Sequence, residues 1–266
     1  MEPTVRELSP GYRLARWEQP DRLGPQCRER LQVLLQSLAG RAFEADHSDY
    51  WDARVQGGFF DRISTLALIL GPDGAPVGWG GYHRKRFAGC RALYLDAAGV
   101  VPEHRRFGLS AALTLHFIAR EIWRRPLAAT YVVLRTRHPA VYAGWRKGLG
   151  AARVFPNEYR TVPARVRRVA QEAACWLGDG PRLAADELLV RDAYRVFEGQ
   201  VYGCEPECGD ERIDGFFAER VGGKDALMVV ARVNAPLLAG AIVSRCLRER
   251  VRRLARAGVL GRGARW

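Results

Sequence analysis

One segment constrains the fold more than any other, because an apolar run leads through a short basic turn into an amphipathic helical pattern. The run covers residues 91–101, the turn follows Pro102, and the helical pattern begins at Leu109. This succession predicts a strand, a loop and a helix N-terminus. The first N–H groups of a helix have no partner within it, and the helix dipole adds about half a positive charge there. The segment therefore predicts a binding site for a phosphate-bearing group.

The residues of this turn suit a pyrophosphate. Arg105 and Arg106 bring side-chain charge to the helix N-terminus, and Gly108 lets the backbone approach a phosphate closely because it has no Cβ. We expect the backbone N–H groups of residues 106–111 to face the pyrophosphate. A turn that merely caps the helix is the alternative interpretation.

Residues 62–156 resemble the GNAT superfamily of acetyl-CoA-dependent acyltransferases. The pyrophosphate loop of that family reads Gln/Arg-x-x-Gly-x-Gly/Ala, and the sequence Arg105-Arg106-Phe107-Gly108-Leu109-Ser110 stands in its place with a serine at the end. Residues 136–150 stand in the place of a second family region, with His138 where an asparagine is common. The resemblance implies acetyl-CoA as the cofactor and a GNAT-like α/β fold built on a mixed sheet.

Hydrophobic periodicity elsewhere agrees with a mixed α/β sheet. Alternating and β-branched runs predict strands, whereas apolar residues at helical spacing predict helices. The predicted strands cover residues 12–17, 64–70, 76–82, 91–101 and 130–134, and the predicted helices cover 25–38, 47–60 with a break at Gly57-Gly58, 109–123, and 139–147 with a cap at Gly148. This order places a helical crossover between two parallel strands beside the phosphate loop.

The chain is predicted to consist of two parts. Residues 1–160 form the acyltransferase domain, and residues 161–266 form an α+β extension that either completes the acceptor site or mediates formation of a homodimer. No second phosphate loop occurs in the extension. Its predicted elements are a helix over 165–177, a strand or helix end over 196–202, a loop over 204–214, a strand over 226–233 and an arginine-rich helix over 236–257.

The resemblance implies direct attack of an amine on the acetyl thioester, and it implies which residues bind the cofactor. The strand at residues 99–101 is expected to bind the pantetheine amides, with the N–H of Val100 or Val101 directed toward the thioester oxygen. The full set expected to bind the cofactor is Gly99, Val100, Val101, Arg105, Arg106, Phe107, Gly108, Leu109, Ser110, Ala111, His138 and Tyr142.

Three residues, Asp96, Tyr94 and Tyr142, are the catalytic candidates. Asp96 and Tyr94 lie two apart on a predicted strand and therefore share one face. Asp96 is the candidate general base, and a salt-bridged structural carboxylate is the alternative. Tyr142 is the candidate acid for the leaving thiolate, with core packing as the alternative, since Gly144 occupies the position where the family commonly has its tyrosine. His138 either contacts the cofactor or caps the helix that follows it.

Aromatic residues of the early helices are candidates for the wall of an acceptor pocket, because the resemblance implies that these helices cover it. Packing in the core is the alternative for the same residues. They are Tyr50, Trp51, Phe59 and Phe60.

Charge and composition limit the classes of function. The chain carries a net charge of +13, and nearly all of its positive charge is arginine. This charge suits CoA or an acidic partner, and solvated arginines are favoured over nucleic-acid binding. We expect an N-acetyltransferase that acts on a primary amine of a small molecule or peptide. The alternatives are acetylation of a protein target and a non-catalytic CoA-binding or basic interaction module.

Two further classes are disfavoured by the sequence. No apolar run approaches the roughly 18–20 residues of a membrane span, and residues 1–10 lack the apolar core of a signal peptide, so we expect a cytoplasmic protein without a membrane partner. Cys204 and Cys208 form a C-x3-C pair, but no histidine or second cysteine pair lies near them in the sequence. We therefore expect no metal site.

Overall fold

A single mixed sheet organises the chain in the computed structural model, which describes residues 2–197, 199–240 and 242–243. Within these residues the sheet has eleven strands: β1 (Thr4–Ser9), β2 (Tyr12–Trp17), β3 (Thr65–Leu70), β4 (Pro76–Phe87), β5 (Cys90–Leu95), β6 (Gly99–Val100), β7 (Thr130–Thr136), β8 (Val154–Phe155), β9 (Leu183–Ala184), β10 (Leu189–Val190) and β11 (Ala226–Val233). Their order is β1-β2-β3-β4-β5-β7-β11-β10-β9, while β6 pairs with β4 and β8 pairs with β11. The predicted mixed α/β fold is confirmed.

Seven α-helices whose bounds the structure gives cover the two faces of the sheet. They are α1 (Pro25–Phe43), α2 (Ser48–Gln56), α3 (Phe59–Arg62), α4 (Leu109–Trp123), α5 (Pro139–Leu149), α6 (Ala164–Trp176) and α7 (Glu211–Arg220). Side chains along β4 alternate between the two faces of the sheet. Trp79 and Lys85 lie on one face, where they contact α2 and α6. Tyr82 lies on the other face, where its hydroxyl donates to Glu121 of α4. None of these helices is long and apolar enough to span a membrane.

Elements with strong local periodicity lie where the sequence predicts them. β2, β11 and α4 have the predicted bounds, α6 begins one residue earlier, and α1 continues to Phe43. The helical region at 47–60 is broken at Gly57-Gly58 into α2 and α3, also as predicted. The hydrophobic pattern and the residues that mark helix and strand ends were therefore sufficient to locate these elements from the sequence.

Several predictions were wrong in detail. β1 was not predicted, because its side chains are mostly exposed and give no apolar stripe. α5 continues through Gly148 to Leu149 and is followed by Gly150, so Gly148 is not the cap. The predicted loop at 204–214 ends in α7, whose N-terminus is capped by the Asp210 carboxylate. Residues 196–202 form turns and bends at the positions described, rather than a strand or a helix end.

The strand predicted over 91–101 is interrupted. β5 ends at Leu95, and β6 begins at Gly99 opposite Trp79 of β4. β5 pairs in parallel with β7 from Ala92 to Leu95, whereas β6 pairs with β4, away from β7. The sheet therefore parts after Leu95, and we call the space between β6 and the end of β7 the strand gap.

We call residues 156–225 the excursion, because they run between two paired strands and, among the described residues, only β9 and β10 of this segment join the sheet, beside β11. β8 ends at Phe155, and its antiparallel partner β11 begins at Ala226. β11 also pairs with β7 from Thr130 to Thr136. The sequence after residue 160 thus contributes a central strand to the same sheet, while the division into two domains stays a prediction. Residues 235–240 are helical, and the rest of the predicted arginine-rich helix lies almost wholly outside the described residues.

Candidate active site

The N-terminus of α4 presents backbone donors that no described side chain caps. Residues Pro102–Phe107 form a 3-10 turn, and Gly108 then adopts a φ of 69°, a left-handed conformation that favours glycine. The first helical hydrogen bond runs from the Ala112 N–H to the Gly108 carbonyl, at 3.0 Å. The N–H groups of residues 109–111 therefore have no partner within the helix. Ser110 and Ala111 are exposed, so an anion can reach them.

The two arginines of the turn differ in position. The guanidinium of Arg105 is turned toward α1, where it donates to the Ala42 carbonyl and, at 3.3 Å, to the Val100 carbonyl. Arg105 therefore ties the turn to α1. Arg106 is exposed, and the ring of Phe107 lies 5.5 Å from that of Tyr12.

One side of the strand gap is formed by buried backbone. Gly99, Val100 and Val101 are all buried. The Val101 N–H donates to the Val77 carbonyl of β4 at 3.0 Å. Because successive N–H groups of a strand point to opposite sides, the Val100 N–H points away from β4 and toward the gap. Of the two valines considered from the sequence, Val100 is thus the one with a donor directed into the gap.

Asp96 follows β5 and lies at the inner end of the gap. Its side chain is 6% exposed, and Oδ2 accepts from Arg54 at 2.5 Å and from His83 Nε2 at 2.6 Å. Burial alone would raise the pKa of Asp96, but Arg54 and the hydrogen bond from His83 outweigh it and hold that pKa well below its usual range. A carboxylate held in this way is a weak base.

Tyr94 shares a face with Asp96, as the spacing predicts. Its ring lies 6.1 Å from that of His83 and 5.2 Å from that of Trp176 on α6. Burial raises the pKa of Tyr94, so the hydroxyl remains protonated at neutral pH.

The structure does not bring Tyr142 to Asp96 and Tyr94. Its hydroxyl donates to the Pro156 carbonyl at 2.6 Å, and its ring packs against Phe217 of α7 on the α5 face of the sheet. This environment matches the core-packing alternative.

His138 caps α5. Its Nδ1 accepts from the Ala140 N–H at 3.3 Å, and its ring lies 5.5 Å from that of Tyr202. Burial lowers the pKa of His138, in agreement with a neutral ring that accepts this hydrogen bond.

Of the four aromatic residues considered for an acceptor wall, Tyr50 is the one that borders the site. The ring of Tyr50 stacks on Phe197 at 4.7 Å, and its hydroxyl accepts from Arg54 at 2.9 Å. The other three are buried in the core under α2 and α3: Trp51, Phe59 and Phe60.

Residues that the sequence analysis missed complete this region. Arg135 of β7 lies with its guanidinium 5.1 Å from the centre of the Tyr194 ring and pairs with Asp179. Tyr202 lies between His138 and Phe43 of α1. The position of Arg135 inside the otherwise apolar strand β7 could have indicated a functional residue from the sequence. Tyr194 and Tyr202 lie in the excursion at 156–225, where no sequence pattern indicated a role for them.

Two pockets lie elsewhere on the described surface. One of about 530 Å³ lies among basic residues at the far end of β4: Arg84, Lys85, Arg86, Arg91, Arg124 and Arg125, with Glu121. The other, of about 430 Å³, lies between α5 and α7 and includes Tyr142. Neither pocket includes Asp96 or Tyr94.

Comparisons with known proteins find distant similarity. No family model matches the chain, and no curated protein matches it. Among solved structures, the ribosomal-protein-S18-alanine N-acetyltransferase from Escherichia coli is similar at 14% identity and a TM-score of 0.42, over 83% of this chain and 94% of that one. A GNAT family acetyltransferase from Brucella melitensis, solved with acetyl-CoA, is similar at 13% identity and a TM-score of 0.32, over 45% and 74%.

A third solved structure, a GNAT family N-acetyltransferase from Escherichia coli in complex with CoA, is similar at 17% identity and a TM-score of 0.33, over 54% of this chain and 69% of that one. The second and third of these structures are GNAT family acetyltransferases, the superfamily that the sequence resembles.

Proposed function

We propose that the protein is an acetyl-CoA-dependent N-acetyltransferase that acts on a primary amine of a small molecule or peptide. The strand gap beside the uncapped N-terminus of α4 carries this proposal. The gap offers the Val100 N–H, and the helix offers the N–H groups of residues 109–111. Donors arranged in this way fit an elongated molecule with amides in one part and a pyrophosphate in another.

The chemistry required is the attack of a neutral amine on the thioester carbonyl. A C–N bond forms, the C–S bond breaks, and a thiolate leaves. The Val100 N–H is positioned to stabilise the oxyanion. Tyr94, whose hydroxyl carries its proton at neutral pH, is the proposed hydrogen-bond donor to the leaving thiolate.

Asp96 holds Arg54 and His83 in place in this proposal. Its low pKa makes it a poor acceptor for the amine proton, which passes to water instead. Tyr142 is left out of the proposed catalytic set because its hydroxyl donates a hydrogen bond to the Pro156 carbonyl.

Calorimetric titration with acetyl-CoA tests the cofactor site. Ser110→Asp places a negative charge at the N-terminus of α4, where it favours the helix dipole but repels a phosphate. Two like charges about 6 Å apart repel by about 3 kcal/mol at an effective dielectric constant of about 20, which weakens binding roughly 100-fold. Ser37→Asp, on the exposed side of α1, is the matched control and should bind like the wild type.

Two outcomes would contradict the proposal at different levels. A folded wild type that does not bind acetyl-CoA would remove the cofactor site. Binding without thiol release on any amine would leave a CoA-binding module and remove the enzymatic activity.

A further inference from the structure

Tyr94 is buried as a residue, at 6% exposed, but its hydroxyl makes no hydrogen bond within the described part of the chain. This hydroxyl is not among the described side-chain atoms that are both enclosed and unpartnered, so it is open to solvent and free to donate to a ligand. The nearby ionisable groups whose charge affects the pKa of this hydroxyl are Arg135, Asp96, Tyr50 and Tyr194. The hydroxyl therefore points into a polar region suited to a ligand.

The excursion at 156–225 closes this region on one side. Phe197 stacks on Tyr50 of α2, and Lys224 Nζ donates to the Phe197 carbonyl at 2.6 Å. Tyr194 lies next to Phe197, with ring centres 5.9 Å apart. The aromatic side chains of the excursion thus form a wall opposite Tyr94.

The far end of the same segment is fixed to α1. The Gly203 N–H donates to the Phe43 carbonyl at 2.9 Å, and a Cβ on Gly203 would lie 2.4 Å from the Glu44 carbonyl oxygen. His47 Nε2 lies 3.0 Å from the Val201 carbonyl oxygen. These contacts hold Tyr202 over the region and require a glycine at 203.

Among the described residues around the region, guanidinium groups outnumber carboxylates. Asp179 is 1% exposed and is shared by Arg135, Arg182 and Arg195. Arg137 pairs with Glu205, which is 71% exposed. The buried carboxylate of this cluster is therefore already surrounded by guanidinium groups.

The Asp96 carboxylate is engaged by partners as well. His83 Nδ1 lies 2.9 Å from the Arg62 carbonyl oxygen, and Nε2 lies 2.6 Å from the Asp96 carboxylate. Arg54 pairs with the same carboxylate at 2.5 Å. Asp96 is therefore already paired with a guanidinium group.

This charge distribution selects among amines. The described carboxylates named above, Asp96, Asp179 and Glu205, each pair with an arginine, whereas Arg135 and the Tyr194 hydroxyl are donors for an acidic group. Burial raises the pKa of Tyr94 and of Tyr194, so both hydroxyls remain donors. Surrounding cations also lower the pKa of a bound amine and favour the neutral form that attacks the thioester.

We propose that the acceptor is an amine bearing a carboxylate, as in an amino acid, and that Arg135 and Tyr194 bind this carboxylate. The inference rests on the proposed acetyltransferase function and names the acceptor class of the same site. Tyr202 closes the site over the bound acceptor.

The test compares acids with their amides. L-amino acids, β-alanine and aminobenzoates are each assayed beside the matching amide, with thiol release from acetyl-CoA as the readout. The wild type should prefer the acid in kcat/KM by about tenfold or more, the effect of one charge-assisted contact. Arg135→Gln should bring this ratio close to one, whereas Arg167→Gln, which removes an exposed pair with Asp186, should leave it unchanged.

A second variant keeps the inference testable if Arg135→Gln, which leaves the buried Asp179 with one fewer partner, does not fold. Tyr194→Phe keeps the ring and removes the hydroxyl, so KM should rise for the acids and stay constant for the amides. Amides acetylated as well as the acids, or acetylation confined to amines without an acidic group, would overturn the inference and leave the proposed function standing.

Failure of the proposed function is distinguishable from failure of the inference. If acetyl-CoA does not bind, calorimetry with the same acid and amide pairs still measures the acceptor site directly. Tighter binding of the acids than of the amides supports the site, and equal binding refutes it.

Discussion

Replacing Asp96 with asparagine tests whether this carboxylate holds the site together as an anion. The side chain is 6% exposed and accepts from Arg54 at 2.5 Å and from His83 at 2.6 Å. Asp96→Asn leaves the Arg54 guanidinium in place and removes the charge that compensates it. Breaking a buried pair by removing one partner costs about 3–5 kcal/mol, so the free energy of unfolding should fall by that amount.

Urea unfolding of matched variants measures the effect. Glu205→Gln breaks the pair with Arg137, but Glu205 is 71% exposed and the expected loss is about 0–1 kcal/mol. At roughly 2–4 °C per kcal/mol, Asp96→Asn should lower Tm by about 10 °C. A loss no larger than that of Glu205→Gln would show that Asp96 is not a buried anion and would reopen its assignment as the base.

The pH dependence gives an independent check on Asp96. Its pKa in the folded protein lies below the ordinary carboxyl value of 3.8, so the unfolded chain binds more protons between the two values. The stability from this group is complete above the ordinary pKa and is lost as pH falls through the folded pKa. The wild type should therefore lose stability more steeply below about pH 4 than Asp96→Asn does.

Three more predictions follow from single contacts. Tyr142→Phe removes the hydrogen bond to the Pro156 carbonyl and should lower the free energy of unfolding, measured in urea, by about 1 kcal/mol. Turnover should stay unchanged within about threefold, and a much larger loss of turnover would restore Tyr142 as the candidate acid. Burial and the nearby Arg16 lower the pKa of His116 to about 4, so the unfolded chain binds more protons than the folded protein between pH 4 and 6.5. The free energy of unfolding should therefore decline as pH falls through that window. An NMR titration of His116 with a midpoint near 6.5 would contradict this prediction. Gly203→Ala should release the wall over the site, raise KM for the acceptor and speed proteolysis near residue 203, whereas Gly199→Ala, where a Cβ meets open space, should behave like the wild type.

Local pattern predicted the elements that position the site. The change from an apolar run to helical spacing predicted α4 with its bounds. The period of two predicted that Tyr94 and Asp96 share a face. These features depend on residues that are close in sequence.

The partners of the same residues come from distant parts of the chain and could not be predicted. Arg54 is 42 positions from Asp96 and His83 is 13, and nothing in the local sequence of either indicates the contact. Tyr194 and Tyr202 belong to turns without periodicity. The prediction of a base at Asp96 rested on residue type and position, whereas its basicity depends on these tertiary partners.

The place of β11 determines when the sheet closes during synthesis. β7 is complete at Thr136, but the strand that covers its edge begins only at Ala226. At the usual rate of elongation the ribosome needs on the order of ten seconds to make the intervening chain. Throughout that time a nascent chain exposes an apolar parallel strand on one side, which is a template for pairing with a neighbouring chain. Release or cleavage of the nascent chain before Ala226 is therefore expected to yield aggregates, and full-length protein made more slowly is expected to depend more on chaperones that bind extended apolar segments.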